Sequence, residues 1–171
     1  YQGLPYKVVF IDEPGYKRNL DLGRIPSHSV AAKNLNTFFK KRFAEPDGGY
    51  DLIYSEIPPN DVARVCAETA DRKGIPYIAD INDLWPEAMR MVVDIPVISD
   101  IAFHPFARDA KKVYQLLSAA VGTSNEYASR PEKDRTEPYP RITVYDGNDL
   151  KKFDAGVAAH KGEIAKPEGE F

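Results

Sequence analysis

Short apolar runs alternate along the chain with stretches whose apolar residues recur every three or four positions. That alternation predicts a parallel β-sheet covered by helices. Residues 6–11 (YKVVFI) predict a strand, and residues 16–26 a polar connection. Ser27 or Ser29 can cap a helix reaching Arg42, with Ala31, Leu35, Phe38 and Phe39 on one face. Residues 51–55 (DLIYS) form a near-continuous apolar strand of the kind buried on both sides. Pro58 and Pro59 open the next helix, where Val62, Val65, Cys66, Thr69 and Ala70 share a stripe. Gly74 ends it and Pro76 follows. Residues 76–81 (PYIADI) and 119–122 (AAVG) are further strands, and 142–145 (ITVY) the last. Between them, Phe103, Phe106, Ala107, Ala110, Val113, Tyr114 and Leu117 make a helical stripe that Pro105 is expected to start. Ser124 caps a short helix that stops before Pro131. Beyond Phe153 bulky apolar residues thin out, so residues 1–153 are read as one domain and 154–171 as a linker.

Composition changes this picture little. Of 171 residues, 43% are hydrophobic and 29% charged, an ordinary globular balance. Cys66 is the single cysteine, so no disulfide can form within the chain, and its place on an apolar stripe marks it as a packing residue. The net charge of -3 argues against a nucleic-acid binder. The charge is uneven, however. From Lys17 to Arg42 there are seven cations and one anion, Asp21. This is either a solvated helix face or a surface for anionic lipid or pyrophosphate groups.

In open α/β sheets, ligands collect beyond the carboxyl ends of the strands. Three segments leave such ends: 55–60 (SEIPPN), 82–87 (NDLWPE) and 123–127 (TSNEY). Glu56, Asp83 and Glu126 are therefore candidates to share a crevice. Asp83 ranks first, because a carboxylate there can take the proton of an attacking hydroxyl; the alternative is an Asp that caps its own turn. Trp85 is either a platform for a sugar ring or a core residue. Residues 88–106 are apolar but broken by Asp94, Pro96, Asp100 and Pro105. They fit a lid, a membrane-leaning patch or buried packing. His28, His104 and His160 lack the spacing of a metal site. There is no Walker loop and no GxGxxG. No cofactor or metal is expected.

Five phrases taken together resemble the family-4 glycosyltransferases of bacterial capsular and exopolysaccharide synthesis. They are EPGYKRN (13–19), YSEIPPNDVA (54–63), IPYIADINDLWPEAMRMV (75–92), VGTSNEYASR (121–130) and VYDGNDLKKFD (144–154). DLWPE is the most specific of them, and DGNDLKKFD is similar to the turn that precedes the family's second domain. The resemblance implies the N-terminal, acceptor-side Rossmann-like half of a GT-B enzyme, acting without a metal. The donor nucleotide sugar would bind a C-terminal domain outside this chain. The acceptor would be a lipid-linked saccharide at the cytoplasmic face of the plasma membrane. Asp83 would be catalytic, and Glu56, Asn82, Trp85, Glu87 and Glu126 would shape the acceptor pocket. Relatives often carry His where Asn82 and Asp83 stand. Their opening strand and Gly-rich loop would precede Tyr1, so an incomplete, self-associating or adjusted sheet is expected, and little activity from this chain alone. The alternative is a non-catalytic acceptor- or membrane-binding partner of a separate glycosyltransferase subunit.

Overall fold

The computed structural model describes residues 3–17, 23–91 and 98–160. In chain order they form α1 (Arg24–Arg42), β1 (Ile53–Ile57), α2 (Asn60–Lys73), β2 (Tyr77–Ile81), α3 (Glu87–Arg90) and α4 (Ile98–Leu116). Then come β3 (Ala119–Gly122), α5 (Asn125–Ser129), a 3-10 turn (Arg130–Lys133), β4 (Arg141–Thr143) and α6 (Leu150–Ala159). The four strands lie in the order β1-β2-β3-β4, all parallel. The fold is α/β with a Rossmann-like sheet flanked by helices.

The strands advance one place at a time, so crossovers of one hand put their helices on one side. The burial pattern follows. Ile53, Ile57, Tyr77, Ala79, Ile81 and Ala120 point into the core, together with Ala63, Ala67 and Ala70 of α2 and Val113 and Tyr114 of α4. Alanines on α2 let the helix lie close to the strands. Gly122 serves the same purpose at β3, where a Cβ would overlap the Ala128 backbone of α5. On the opposite face Tyr54 is 50% and Ile142 60% exposed, so β1 is not buried on both sides as its composition predicts.

Several elements match their sequence signals. Gly74 closes α2 in the left-handed region at φ 65°, which a Cβ disfavours. Ser124 caps α5, its side chain accepting from Tyr127 N. Three expectations are corrected. No strand forms at 6–11; this segment has no regular secondary structure and residues 6–10 are exposed, Phe10 by 72%. Helix α1 begins at Arg24, so neither Ser27 nor Ser29 caps it. Ser27 is buried, its hydroxyl donating to Glu13 Oε2 (2.9 Å) and accepting from Gly15 N (2.9 Å). Helix α4 starts before Pro105 and carries it inside, at an exposed position where water can meet the carbonyl it leaves unpaired. The stretch read as a turn and linker contains α6, capped by Asp149, which accepts from Lys152 N. The 1–153 and 154–171 division therefore falls within a helix. Residues 18–22, 92–97 and 161–171 lie outside the described residues, and with them part of the expected lid and linker.

Candidate functional site

The loop leaving β2 is the best-braced feature at the carboxyl ends of the strands. Asn82 N–H donates to Ile57 O (3.1 Å), carrying the β1–β2 pairing one residue further. Its side chain is exposed. Asp83 then folds over its own turn. Oδ1 accepts from Leu84 N (2.8 Å) and Oδ2 from the Trp85 indole (2.9 Å). These bonds fix the carboxylate in a half-buried position and occupy an acceptor site on each oxygen. The turn-capping reading of Asp83 thus has direct geometric support. A proton-accepting role requires a remaining lone pair of the same group.

Trp85 is 8% exposed. The Arg24 guanidinium lies 4.5 Å from its ring centre, His28 stacks at 6.2 Å, and Phe106 meets it edge-on at 6.2 Å. A sugar platform needs an open ring face, and this indole is packed. Its backbone carbonyl accepts from Asn60 Nδ2 (3.1 Å), which also donates to Phe106 O (3.0 Å). Asn60 therefore pins the β2 loop to α4. It is 1% exposed, and its Oδ1 has no hydrogen-bond partner. Its position gives a sequence signal, since Asn60 continues the stripe of Ala63, Ala67 and Ala70. A polar side chain on a core-facing stripe requires a partner.

The first turn of α1 closes over this loop. Arg24 reaches both Trp85 and the Tyr16 ring (5.3 Å), and its Nε donates to His28 Nε2 (3.4 Å). An imidazole that accepts at Nε2 is neutral. Burial pulls the His28 pKa below 6.5, with Arg24 acting in the same direction and Asp61 and Glu13 opposing.

Glu87 sits in the first turn of α3 and pairs with Arg130 (2.6 Å). Arg130 also holds Asp134 (2.8 Å) and lies over the Tyr114 ring (5.2 Å). Burial works against the Arg130 charge, but the bonds to Asp134 and Glu87 raise its pKa above the ordinary guanidinium value. This ties the β2 loop to the segment after β3, where Glu126 is exposed in the first turn of α5. Asp83, Trp85 and Glu87 are thus grouped in one loop, and Arg130 links that loop to the α5 region. Glu56 is a correction. It lies within β1, opposite Asp80, on the open face of the sheet and not beyond the strand end.

A separate open groove of about 790 Å³ runs over α2 between α1 and α4. Lys33, Lys40, Arg64, Arg72 and Arg108 line it, and none of Glu56, Asn82, Asp83, Trp85, Glu87 and Glu126 does. Asp109, 5% exposed, lies between Arg108 (2.9 Å) and Arg64 (3.2 Å). Helix α1 has five cations and no anion; with α2 and α4 the layer holds eleven cations against five anions, a net of +6 on a chain of -3. The α1 share of this charge is legible in the sequence. The α4 share needed the fold.

Among the described residues no His, Cys, Asp or Glu group is placed to hold a metal, and no helix is long and apolar enough to cross a membrane. The fold therefore defines a class, an α/β domain with a braced loop at the carboxyl end of β2. Comparison with protein-family models, curated proteins and solved structures finds no significant match.

Proposed function

We propose that the chain is the acceptor-side half of a two-domain glycosyltransferase, which moves a sugar from a nucleotide donor to a lipid-linked saccharide. The observation that carries this reading is Asp83, held at the carboxyl end of β2 by Leu84 N and the Trp85 indole. A carboxylate fixed there is suited to receive the proton of an acceptor hydroxyl, and a fixed base loses little to reorientation. The DLWPE and DGNDLKKFD phrases support the same reading. So does the basic helical layer, which suits an acceptor carrying pyrophosphate, or an anionic membrane that presents it. The +6 layer would then act at the cytoplasmic face of the plasma membrane. The donor nucleotide belongs to a separate domain.

The test is titration calorimetry of this chain with a short-chain polyprenyl-pyrophosphate sugar and with a panel of nucleotide sugars. Binding of the first without the second is expected; binding of a nucleotide sugar overturns the division of labour. In the complete enzyme, Asp83→Asn should lower turnover by roughly 100-fold. One observation favours a second reading. Both oxygens of Asp83 already accept hydrogen bonds inside their own loop, as expected of a non-catalytic partner that delivers acceptor to a separate subunit. In that case Asp83→Asn leaves turnover of the reconstituted pair within a few-fold of the parent.

A further inference from the structure

We propose that the groove over α2 is a binding site for a diphosphate group, held at one end by Lys33, Lys40 and Arg72. Helices α1 and α2 run side by side in the same direction. Near their starts Ser29 Oγ donates to Asp61 Oδ2 (3.4 Å), and at their ends Lys73 Nζ lies 5.0 Å from the centre of the Phe43 ring. Lys40 follows Ser29 by 11 residues and Arg72 follows Asp61 by 11, so the two cations line the groove at one level from its two sides. Lys33 lines it as well, two turns or about 10 Å before Lys40 along the same helix.

The remaining cations of the groove have acidic partners of their own. Arg64 pairs with Glu68 (3.1 Å) and Asp109 (3.2 Å), and Arg108 with Asp109 (2.9 Å). Among the described residues Lys33, Lys40 and Arg72 have none, and Arg72 donates to the Thr69 hydroxyl (3.0 Å). Cations in a last turn ordinarily offset the helix dipole, which accounts for Lys41 and Lys73. That does not account for Lys33, in the middle of α1, or for cations of two helices converging on one concavity. Asp61 disfavours an anion at the other end, so the charge of a ligand is directed to the Lys40 and Arg72 end. A groove of about 790 Å³ has the size of a small-molecule site. Its unpaired cations are spread too far for one phosphate to meet them all. A diphosphate spans more of that length and offers acceptors to ammonium and guanidinium donors alike. The inference does not rest on the glycosyltransferase reading, because it concerns the helical layer, not the Asp83 loop, and requires no sugar.

Titration calorimetry of the chain with inorganic pyrophosphate and with orthophosphate, at low ionic strength, tests the site. One pyrophosphate per chain is expected, bound roughly tenfold or more tighter than orthophosphate. Lys40→Glu with Arg72→Glu should weaken pyrophosphate by roughly tenfold or more. Lys111→Glu with Lys112→Glu removes the same charge from α4 outside the groove and should change the affinity by less than about threefold. All four positions are exposed, and far-UV circular dichroism checks that each variant folds. Should the groove pair fail to fold, Lys33→Ala supplies the milder substitution, again with weaker pyrophosphate binding expected. Phosphatidylcholine vesicles carrying diacylglycerol pyrophosphate then identify the source of the group. Displacement of pyrophosphate assigns the site to a lipid headgroup, and retention assigns it to a soluble diphosphate. Equal weakening by the two charge-reversed pairs would reduce the groove to the general charge of its layer and overturn the proposal. Equal affinity for the two phosphates, or no saturable binding, overturns it as well.

Discussion

The two faces of the sheet draw on similar residues and meet opposite fates. Ile57 is 1% exposed and Ile142 60%; Tyr77 is 1% exposed and Tyr54 50%. In each pair the side chain is the same but points to the opposite face of the sheet from a different strand. The covered face is closed by α2 and α4, whose alanines bring the helices close. The open face has apolar rows of similar reach and nothing described lying on them. Apolar residue type thus records a capacity for burial, while topology decides whether that capacity is used.

The comparison can be broken by matched truncations. Ile57→Ala should cost about 2–5 kcal/mol in urea unfolding. Ile142→Ala, at protein concentrations too low for self-association, should cost less than about 0.5 kcal/mol. Similar losses at both positions would show the two faces to be equivalent. A smaller effect sharpens the account of the covered side. Asn60→Ala removes the donor from two carbonyls at once, Trp85 O and Phe106 O, and should cost about 1–3 kcal/mol by the same measurement. Cys66 gives a chemical version of the contrast. Burial pushes its thiol up to about 11 from 9.0. Its reaction with a disulfide reagent at pH 8 should be slower than in the unfolded chain by about 100-fold from thiolate content alone. A thiol that reacts equally fast in both states would mean the core is open there.

The smallest effect is expected at His28. Its folded pKa lies below 6.5, so the unfolded chain binds the proton more readily. The contribution of the neutral ring is fully present above pH 6.5 and declines as pH falls toward the lowered folded value. His28→Gln should flatten that part of the stability-against-pH curve. An unchanged slope would assign the acid sensitivity to other groups.

Elements set by neighbours in sequence were legible from sequence. The α2 stripe, Gly74 and the Ser124 cap depend on residues within a few positions of one another. Strands 76–81 and 119–122 were found within a residue of their observed ends. The misplaced elements depend on distant partners. Ser27 resembles a cap until Glu13, fourteen residues earlier, takes its hydroxyl. Residues 6–11 have the composition of a strand but acquire no ladder. Helix α4 tolerates Pro105 because the position faces solvent. The same division holds at the site. Asp83, Trp85 and Glu87 lie in one loop and could be named together. Arg24, His28 and Arg130 reach it from other elements, and a single cation or imidazole in the sequence does not reveal the ring or carboxylate it will meet.

The uneven placement of charge has a consequence for how the molecule meets anything at short range. With +6 on the α1, α2 and α4 layer, the rest of the chain carries -9. Net positive charge is therefore concentrated on one helical layer of an acidic chain. At physiological ionic strength a charge is felt over about 8 Å, less than the width of a domain. A surface close to that layer accordingly senses the layer's charge more than the charge of the whole chain. A protein with a pI of about 5.7 can then be held by an anionic matrix at neutral pH through this layer.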